Sequence, residues 1–195
     1  MEKTELRKQI KKLPEENQDS IKKDSEKICK KILDLPLYKK SKILLAYMAL
    51  KDEVGLEILI EDALKAKKKV FLPKIDLEKG QMDFYRFFNE ERLCQGAYGI
   101  LEPAKDKAFR DELFRWEEIS AKRDEILVLV PGRAFSKKKD RMGRGKAYYD
   151  TYFTGLKDKV TLCGISFDWQ LFEDIPCEEH DLKMDYVISP GEVLL

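Results

Sequence analysis

The twenty residues PGRAFSKKKDRMGRGKAYYD, from Pro131 to Asp150, hold the side chains best suited to chemistry. Between Lys137 and Lys146 stand six basic residues and one acid, in a chain whose remaining charge is therefore slightly negative. Arg141 and Arg144 supply planar forks and Lys146 a point charge, both matched to phosphate oxygens, while Gly143 and Gly145 let the backbone approach a ligand closely. A helix expected to start near Gly145 and run through Tyr148, Tyr149, Tyr152 and Phe153 would add its first-turn amides to the same anion site. A polyphosphate is the expected ligand. The spacing is not that of a Walker A loop, because Lys146 is followed by Ala147 and Asp140 stands where the first glycine belongs; nor is it GxGxxG, because Tyr148 takes the place of the third glycine. On residues alone a mobile basic surface loop is an equal alternative, and the position directly after an apolar strand favours a site.

Two further constellations involve acids. The segment FDWQLFEDIPCEEHDLKMDYVIS carries Asp168, Glu173, Asp174, Glu178, Glu179, Asp181 and Asp185 around the lone histidine, His180. One or two such carboxylates could hold magnesium on a bound triphosphate, and Asp150 and Asp185 are the pair best placed to meet. For any single acid, capping and solvation is the plainer role, as structural hydrogen bonding is for His180. In YMALKDEV, Tyr47 to Val54, either Asp52 or Glu53 could accept hydrogen bonds from the N–H groups of a heterocycle. The plainer role there is an N-cap or first-turn acid of the next helix, which suits Asp52 better than Glu53. Met48 could line an apolar slot or simply belong to the core.

These groups need a frame, and the hydrophobic pattern supplies one. Ile43–Ala49, Glu125–Pro131 and Val160–Ser166 are near-continuous apolar runs of strand length, the mark of strands covered on both faces. Val70–Pro73 and Tyr186–Ser189 read as further strands, and Met82–Phe88 as a peripheral one. Helical spacing appears between Glu15 and Leu35, with Pro14 in the first turn and Pro36 at the stop, and again from Val54 to Ala66. Strands alternating with amphipathic helices predict an α/β layered domain with a mostly parallel central sheet, whose ligands sit at the carboxyl ends of the strands.

The chain has 195 residues, enough for a single domain spanning 1–195. Its 38 Lys and Arg against 37 Asp and Glu leave a net charge of +1, which argues against a generic nucleic-acid or membrane-surface binder. An RNA-binding module is further disfavoured because Tyr148 and Tyr149 fall at helical positions and no RNP pattern appears. No apolar run approaches the length of a membrane span and no secretory signal is visible, so a cytoplasmic location is expected. One histidine excludes a metal site built on several imidazoles, and the four scattered cysteines read as reduced structural thiols.

Taken together, KTELRKQI, YMALKDEV, VFLPK, GAYGILEP (Gly96–Pro103), LVPGRAF, RMGRGKAYYD, GISFDWQ and IPCEEHDLKMDYVIS resemble the 5-formyltetrahydrofolate cyclo-ligase family nearly end to end. The resemblance implies a three-layer Rossmann-like sandwich related to sugar-phosphate isomerase and coenzyme A transferase domains. It implies ATP-dependent closure of 5-formyltetrahydrofolate, with or without a polyglutamate tail, to 5,10-methenyltetrahydrofolate, with ADP and phosphate released and magnesium required. A monomer is expected; a catalytically weakened folate or nucleotide sensor is the competing reading. By matching position, Lys3 and Arg7 would reach ATP, and Arg141, Met142, Gly143, Arg144, Gly145, Lys146, Ala147, Tyr148 and Tyr149 would form the phosphate loop. Arg144, Gly145, Lys146 and Tyr148 would lie nearest both the transferring group and the folate, with Arg144, Lys146 and Tyr148 the catalytic set. Met48 and Glu53 would contact the folate, Tyr98 and Gly99 would border its pocket, and Asp150 and Asp185 would bind magnesium. Three positions depart from the family pattern: Arg133 for a customary leucine, Ser136 for an aspartate and Ala147 for a glycine. The first two are expected to add positive charge and retune nucleotide affinity. Ala147 is expected to be tolerated inside a helix, where alanine beats glycine by about 1 kcal/mol.

Overall fold

Two apolar faces on one sheet organise the molecule, seen in a computed structural model that describes residues 2–104, 112–178 and 180–195. The elements in chain order are α1 (Lys3–Ile10), α2 (Leu13–Glu16), α3 (Gln18–Asp34), α4 (Pro36–Lys40), β1 (Ile43–Leu45), α5 (Glu57–Lys65), β2 (Lys69–Asp76), β3 (Gln81–Phe87), β4 (Leu93–Gln95) and β5 (Leu101–Pro103). They continue with β6 (Ile126–Pro131), β7 (Ala134–Ser136), β8 (Arg141–Met142), α6 (Tyr148–Tyr152), β9 (Thr161–Ile165), β10 (Leu171–Phe172), β11 (Tyr186–Ile188) and β12 (Val193–Leu194). The main sheet has the order β12-β11-β9-β6-β1-β2-β3. Its inner pairings are parallel and its two outermost strands antiparallel. This is the mostly parallel sheet that the apolar runs predict.

Alternation along each strand assigns the faces. Leu44, Val70, Leu72, Leu127 and Leu129 pack with Ile28 and Ile32 of α3 and Leu59 and Ala63 of α5. Leu45, Phe71, Val128, Val130 and Leu162 point the other way, onto Phe84 of β3 and onto Tyr149 and Phe153 at α6. A third, smaller cluster joins Leu6 and Ile10 of α1 to Ala134 and Met142, so the N-terminal helix is seated on the β7–β8 hairpin.

Several boundaries differ from the sequence expectation. The helix expected between Glu15 and Leu35 starts at Gln18, because Leu13–Glu16 forms a turn of its own that ends at Asn17. Leu35 is extended before Pro36, as the proline requires, but Pro36 then opens α4 rather than simply ending a helix. Strand β1 stops at Leu45; beyond it the chain makes one more ladder bond, Ala46 N–H to Phe71 O at 3.0 Å, and peels away from the sheet. The helix expected from Gly145 begins only at Tyr148, since Gly145 (φ +89°) and Ala147 (φ +54°) are left-handed.

Candidate active site

The segment that peels away after β1 lies at the carboxyl edge of the sheet, where β1 has β2 on one side and β6 on the other. The strand order reverses there, which is where open α/β sheets form ligand crevices. Three pieces of chain meet at that edge: residues 47–53 after β1, the end of β6 with Pro131 and Gly132, and the loop 143–147 that follows β8. They enclose, with β2, β3 and the 98–102 turn, a cavity of about 280 Å³. Pro73, Ile75, Met82 and Ile100 give it apolar walls suited to a flat ring, and Glu53, Arg144, Lys146 and Asp150 bring charge to the same space.

The cations of the loop are held in different ways. Arg141 is buried, 6 % exposed, its Nε donating to Pro131 O at 2.9 Å and its Nη1 to Asp150 Oδ1 at 3.3 Å; its guanidinium lies 5.3 Å from the Tyr149 ring centroid. It fastens β8 to the end of β6. Arg144 donates from Nε to Glu53 Oε1 at 3.0 Å and from Nη2 to Asp52. Burial lowers the proton affinity of its guanidinium, and Glu53 and Asp52 more than offset that. Lys146 is exposed, lines the cavity and keeps no ion pair or hydrogen bond among the described residues. The other basic residues serve elsewhere: Lys137 pairs with Glu173 at 2.7 Å and Lys138 with Asp174 at 2.9 Å, on a turn that does not line the cavity.

The acids are equally specific. Glu53 is 9 % exposed, with Oε2 accepting Leu50 N–H at 3.0 Å and Oε1 turned to Arg144. Asp52 is not a helix cap: the N-cap of α5 is Leu56, and Asp52 instead receives Arg144 on one oxygen and Arg133 on the other. Burial alone would raise its carboxyl; the two guanidiniums bring it below the ordinary value. Asp150 lines the cavity and accepts Leu182 N–H at 3.0 Å. Asp185 does not join it. Parallel pairing of β11 with β9 carries Asp185 to the amino ends of those strands, where it accepts Leu162 N–H at 2.8 Å and Arg123 Nη2 at 2.5 Å. The acid that the chain brings beside Leu182 is Asp181, tied to Lys3 at 2.6 Å. Lys3 also pairs with Glu178 at 2.9 Å; burial lowers its proton affinity, and the two acids reverse that and raise it. His180 is exposed and lies 3.3 Å from Glu178, and Glu179 lies outside the described residues.

Aromatic groups close the frame. Tyr98, at φ +56° in the turn between β4 and β5, meets the Tyr148 hydroxyl at 3.3 Å. That hydrogen bond, and then partial burial, raises the Tyr148 hydroxyl. Tyr149 is buried against the cavity with a hydroxyl that has no hydrogen-bond partner among the described residues, and burial followed by the Glu53 charge raises it, so it stays protonated and able to donate.

Of the residues singled out from sequence, Met48, Glu53, Tyr98, Arg141, Gly143, Arg144, Lys146, Ala147, Tyr148, Tyr149 and Asp150 line this cavity. Gly99 does not line it but a neighbouring depression that shares Met48, Tyr98 and Arg144 with it. Met142 is a core residue under α1, and Arg7 backs the loop from outside, donating to Gly143 O at 3.4 Å. A Cβ added at Gly145 would lie 3.7 Å from Arg7 Cζ. The departures are also resolved. Arg133 is neutralised by Asp52 rather than left as added charge. Ser136 Oγ accepts Lys138 N–H and Asp140 N–H and donates to Asp140 Oδ2, so it serves the hairpin turn. Ala147 is not inside a helix but at the left-handed N-cap position of α6, where glycine fits without strain. With five residues, α6 offers no first-turn amide site of the kind expected. Sequence reasoning missed Glu102, 3 % exposed on the cavity wall and 3.5 Å from Lys74 Nζ, although it lies within the GAYGILEP motif.

A family model described as the 5-formyltetrahydrofolate cyclo-ligase family matches residues 1–190. The chain is 30% identical over 195 residues to a Saccharomyces cerevisiae protein named 5-formyltetrahydrofolate cyclo-ligase, covering 94% of this chain and 92% of that one. It is 29% identical over 168 residues to the Mus musculus protein of the same name, covering 83% and 79%. Among solved structures, that of Aquifex aeolicus 5,10-methenyltetrahydrofolate synthetase is similar with a TM-score of 0.80 and 31% identity, covering 99% of this chain and 92% of that one.

Proposed function

The chain belongs to the 5-formyltetrahydrofolate cyclo-ligase family, ligases that form 5,10-methenyltetrahydrofolate, and we propose the following division of labour for that reaction among its residues. The observation that carries the reading is a single cavity with a carboxylate, Glu53, and two cations, Arg144 and Lys146, on the walls of an apolar slot. Glu53 accepts N–H donors of the pterin, Met48 packs on the ring, and Tyr98 and Gly99 border the rest of the folate. Lys146, without a partner among the described residues, and Arg144 neutralise the phosphates of ATP, backed by Arg7 behind the glycine loop.

The formyl oxygen of 5-formyltetrahydrofolate attacks the γ-phosphorus of ATP. The bond to the bridging oxygen breaks, and ADP leaves with its electron pair. The neighbouring amine nitrogen then adds to the activated formyl carbon and closes the ring; its proton is lost and phosphate departs with the former formyl oxygen. Such a transfer needs positioning and charge neutralisation rather than a nucleophilic side chain, and the site supplies those. Tyr148 would lie against the reacting groups, and the Tyr149 hydroxyl, unpartnered among the described residues, suits a ligand acceptor in the cavity.

Magnesium fits as an ion carried in on the phosphates. Among the described residues no group of three or more His, Cys, Asp or Glu could hold a metal, while one or two carboxylates suffice for an ion that keeps several waters. Asp150 is the acid of the cavity that would hold it, and the bound ion would neutralise phosphate charge. Asp185, at the amino ends of β9 and β11, is away from the cavity and does not share that role. The reading extends to one domain acting as a monomer in the cytoplasm. All four cysteines are free thiols, which suits a reducing compartment, and among the described residues no helix is long and apolar enough to cross a membrane.

Purified protein given magnesium, ATP and 5-formyltetrahydrofolate is expected to form a product with the absorbance of the methenyl form. Folate binding without any absorbance change would favour the sensor reading and overturn this one.

A further inference from the structure

We propose that Asp52 is a positioning residue for the reaction, holding the Arg144 guanidinium across the mouth of the cavity. The proposal rests on the reading of Arg144 given above. Its ground is a row of four alternating charges that joins three separate pieces of chain: Arg133 after β6, Asp52 and Glu53 after β1, and Arg144 in the glycine loop. Each Asp52 oxygen has its own guanidinium, Oδ1 receiving Arg144 Nη2 and Oδ2 receiving Arg133 Nη1.

The fork geometry of arginine makes this arrangement directional. With Nε on Glu53 Oε1 at 3.0 Å and Nη2 on Asp52, the plane of the Arg144 guanidinium is fixed by two carboxylates. Its Nη1 keeps its N–H donors without a partner among the described residues, on a side chain that lines the cavity. The two carboxylates differ in what a substrate does to them. Glu53 faces the slot, so pterin N–H donors compete with Arg144 for its oxygen. Asp52 does not line that cavity and keeps its hold on Arg144 whether Glu53 is engaged or not. Removing Asp52 therefore leaves Arg144 tied only to the group that folate has to use.

The test is a double-mutant cycle. Asp52→Asn should lower kcat about tenfold while the KM for 5-formyltetrahydrofolate stays within about threefold. Combined with Arg144→Ala, it should add less than about a twofold further loss, because its effect runs through that arginine. Losses that multiply would overturn the proposal. If Asp52→Asn fails to fold, Arg133→Leu gives the answer: it leaves Asp52 to Arg144 alone and should keep kcat within about threefold of wild type, whereas a loss of about tenfold would show Asp52 acting through Arg133 instead. The same cycle read as the Kd of a non-hydrolysable ATP analogue scores the Asp52–Arg144 coupling even in a chain that does not turn over. An inactive wild type would thus sink the proposed reaction while the coupling is still measured, non-additive if the proposal holds and additive if it does not.

Discussion

Arg141 and Lys146 stand five positions apart, yet Arg141 is buried against Pro131 O and Asp150 while Lys146 projects into the cavity with no partner among the described residues. The difference separates structure from chemistry within one motif: truncating Arg141 would take the cationic partner from the half-buried Asp150 and leave Pro131 O without its donor, whereas truncating Lys146 leaves no group among the described residues unsatisfied. Ala147, between the loop and α6, is a position of strain. A left-handed backbone costs an alanine about 1–2 kcal/mol, part of which glycine gives back through the greater entropy of its unfolded chain. Ala147→Gly should therefore raise stability by about 0.5–1 kcal/mol, read as a higher urea midpoint at unchanged slope. A lower midpoint would contradict the left-handed backbone at this position.

Among the elements, the strands were legible because burial on both faces makes each an unbroken apolar run: Ile126–Pro131 and Thr161–Ile165 fall inside the expected segments. The helix boundaries were less legible. What stops α6 short of Gly145 is the backbone conformation of Gly145 and Ala147, and nothing in the identity of an alanine announces a left-handed residue. The same limit explains the magnesium pair. Asp150 follows the basic loop in sequence and Asp185 immediately precedes a strand, but only the direction of β11 beside β9 determines that Asp185 lies at the amino ends of the strands. The basic run also divided unexpectedly: its lysines before Asp140 belong to the β7–β8 turn, with Lys137 and Lys138 paired to Glu173 and Asp174, and the arginines and lysine after Asp140 to the cavity. Composition shows the concentration of charge; the hairpin decides which charges converge.

Across the whole molecule, a set of acids is held by neighbouring bases, and these pairs set the response to acid. The carboxyls of Asp24, Asp52, Asp124, Glu125, Asp174 and Asp181 lie below their ordinary values of 3.8 for aspartate and 4.5 for glutamate. For Asp24, Asp52 and Asp181 burial works against this and cationic partners prevail; for Asp124, Glu125 and Asp174 a lysine hydrogen bond is the main cause. A carboxyl depressed in the fold contributes stability that is fully present above its unfolded value and lost as pH falls through the folded one. The urea midpoint should therefore hold steady down to about pH 5 and fall below about pH 4; a decline already complete at pH 5 would contradict the pairing.

The proposed chemistry depends most on Lys146, the exposed cation that is unpaired among the described residues and shares a cavity with Glu53 and Arg144. Lys146→Ala, assayed for methenyl product alongside urea unfolding, should lose turnover by about a hundredfold or more while its unfolding free energy stays within about 0.5 kcal/mol of wild type. Turnover equal to wild type in that variant would remove the loop from the mechanism.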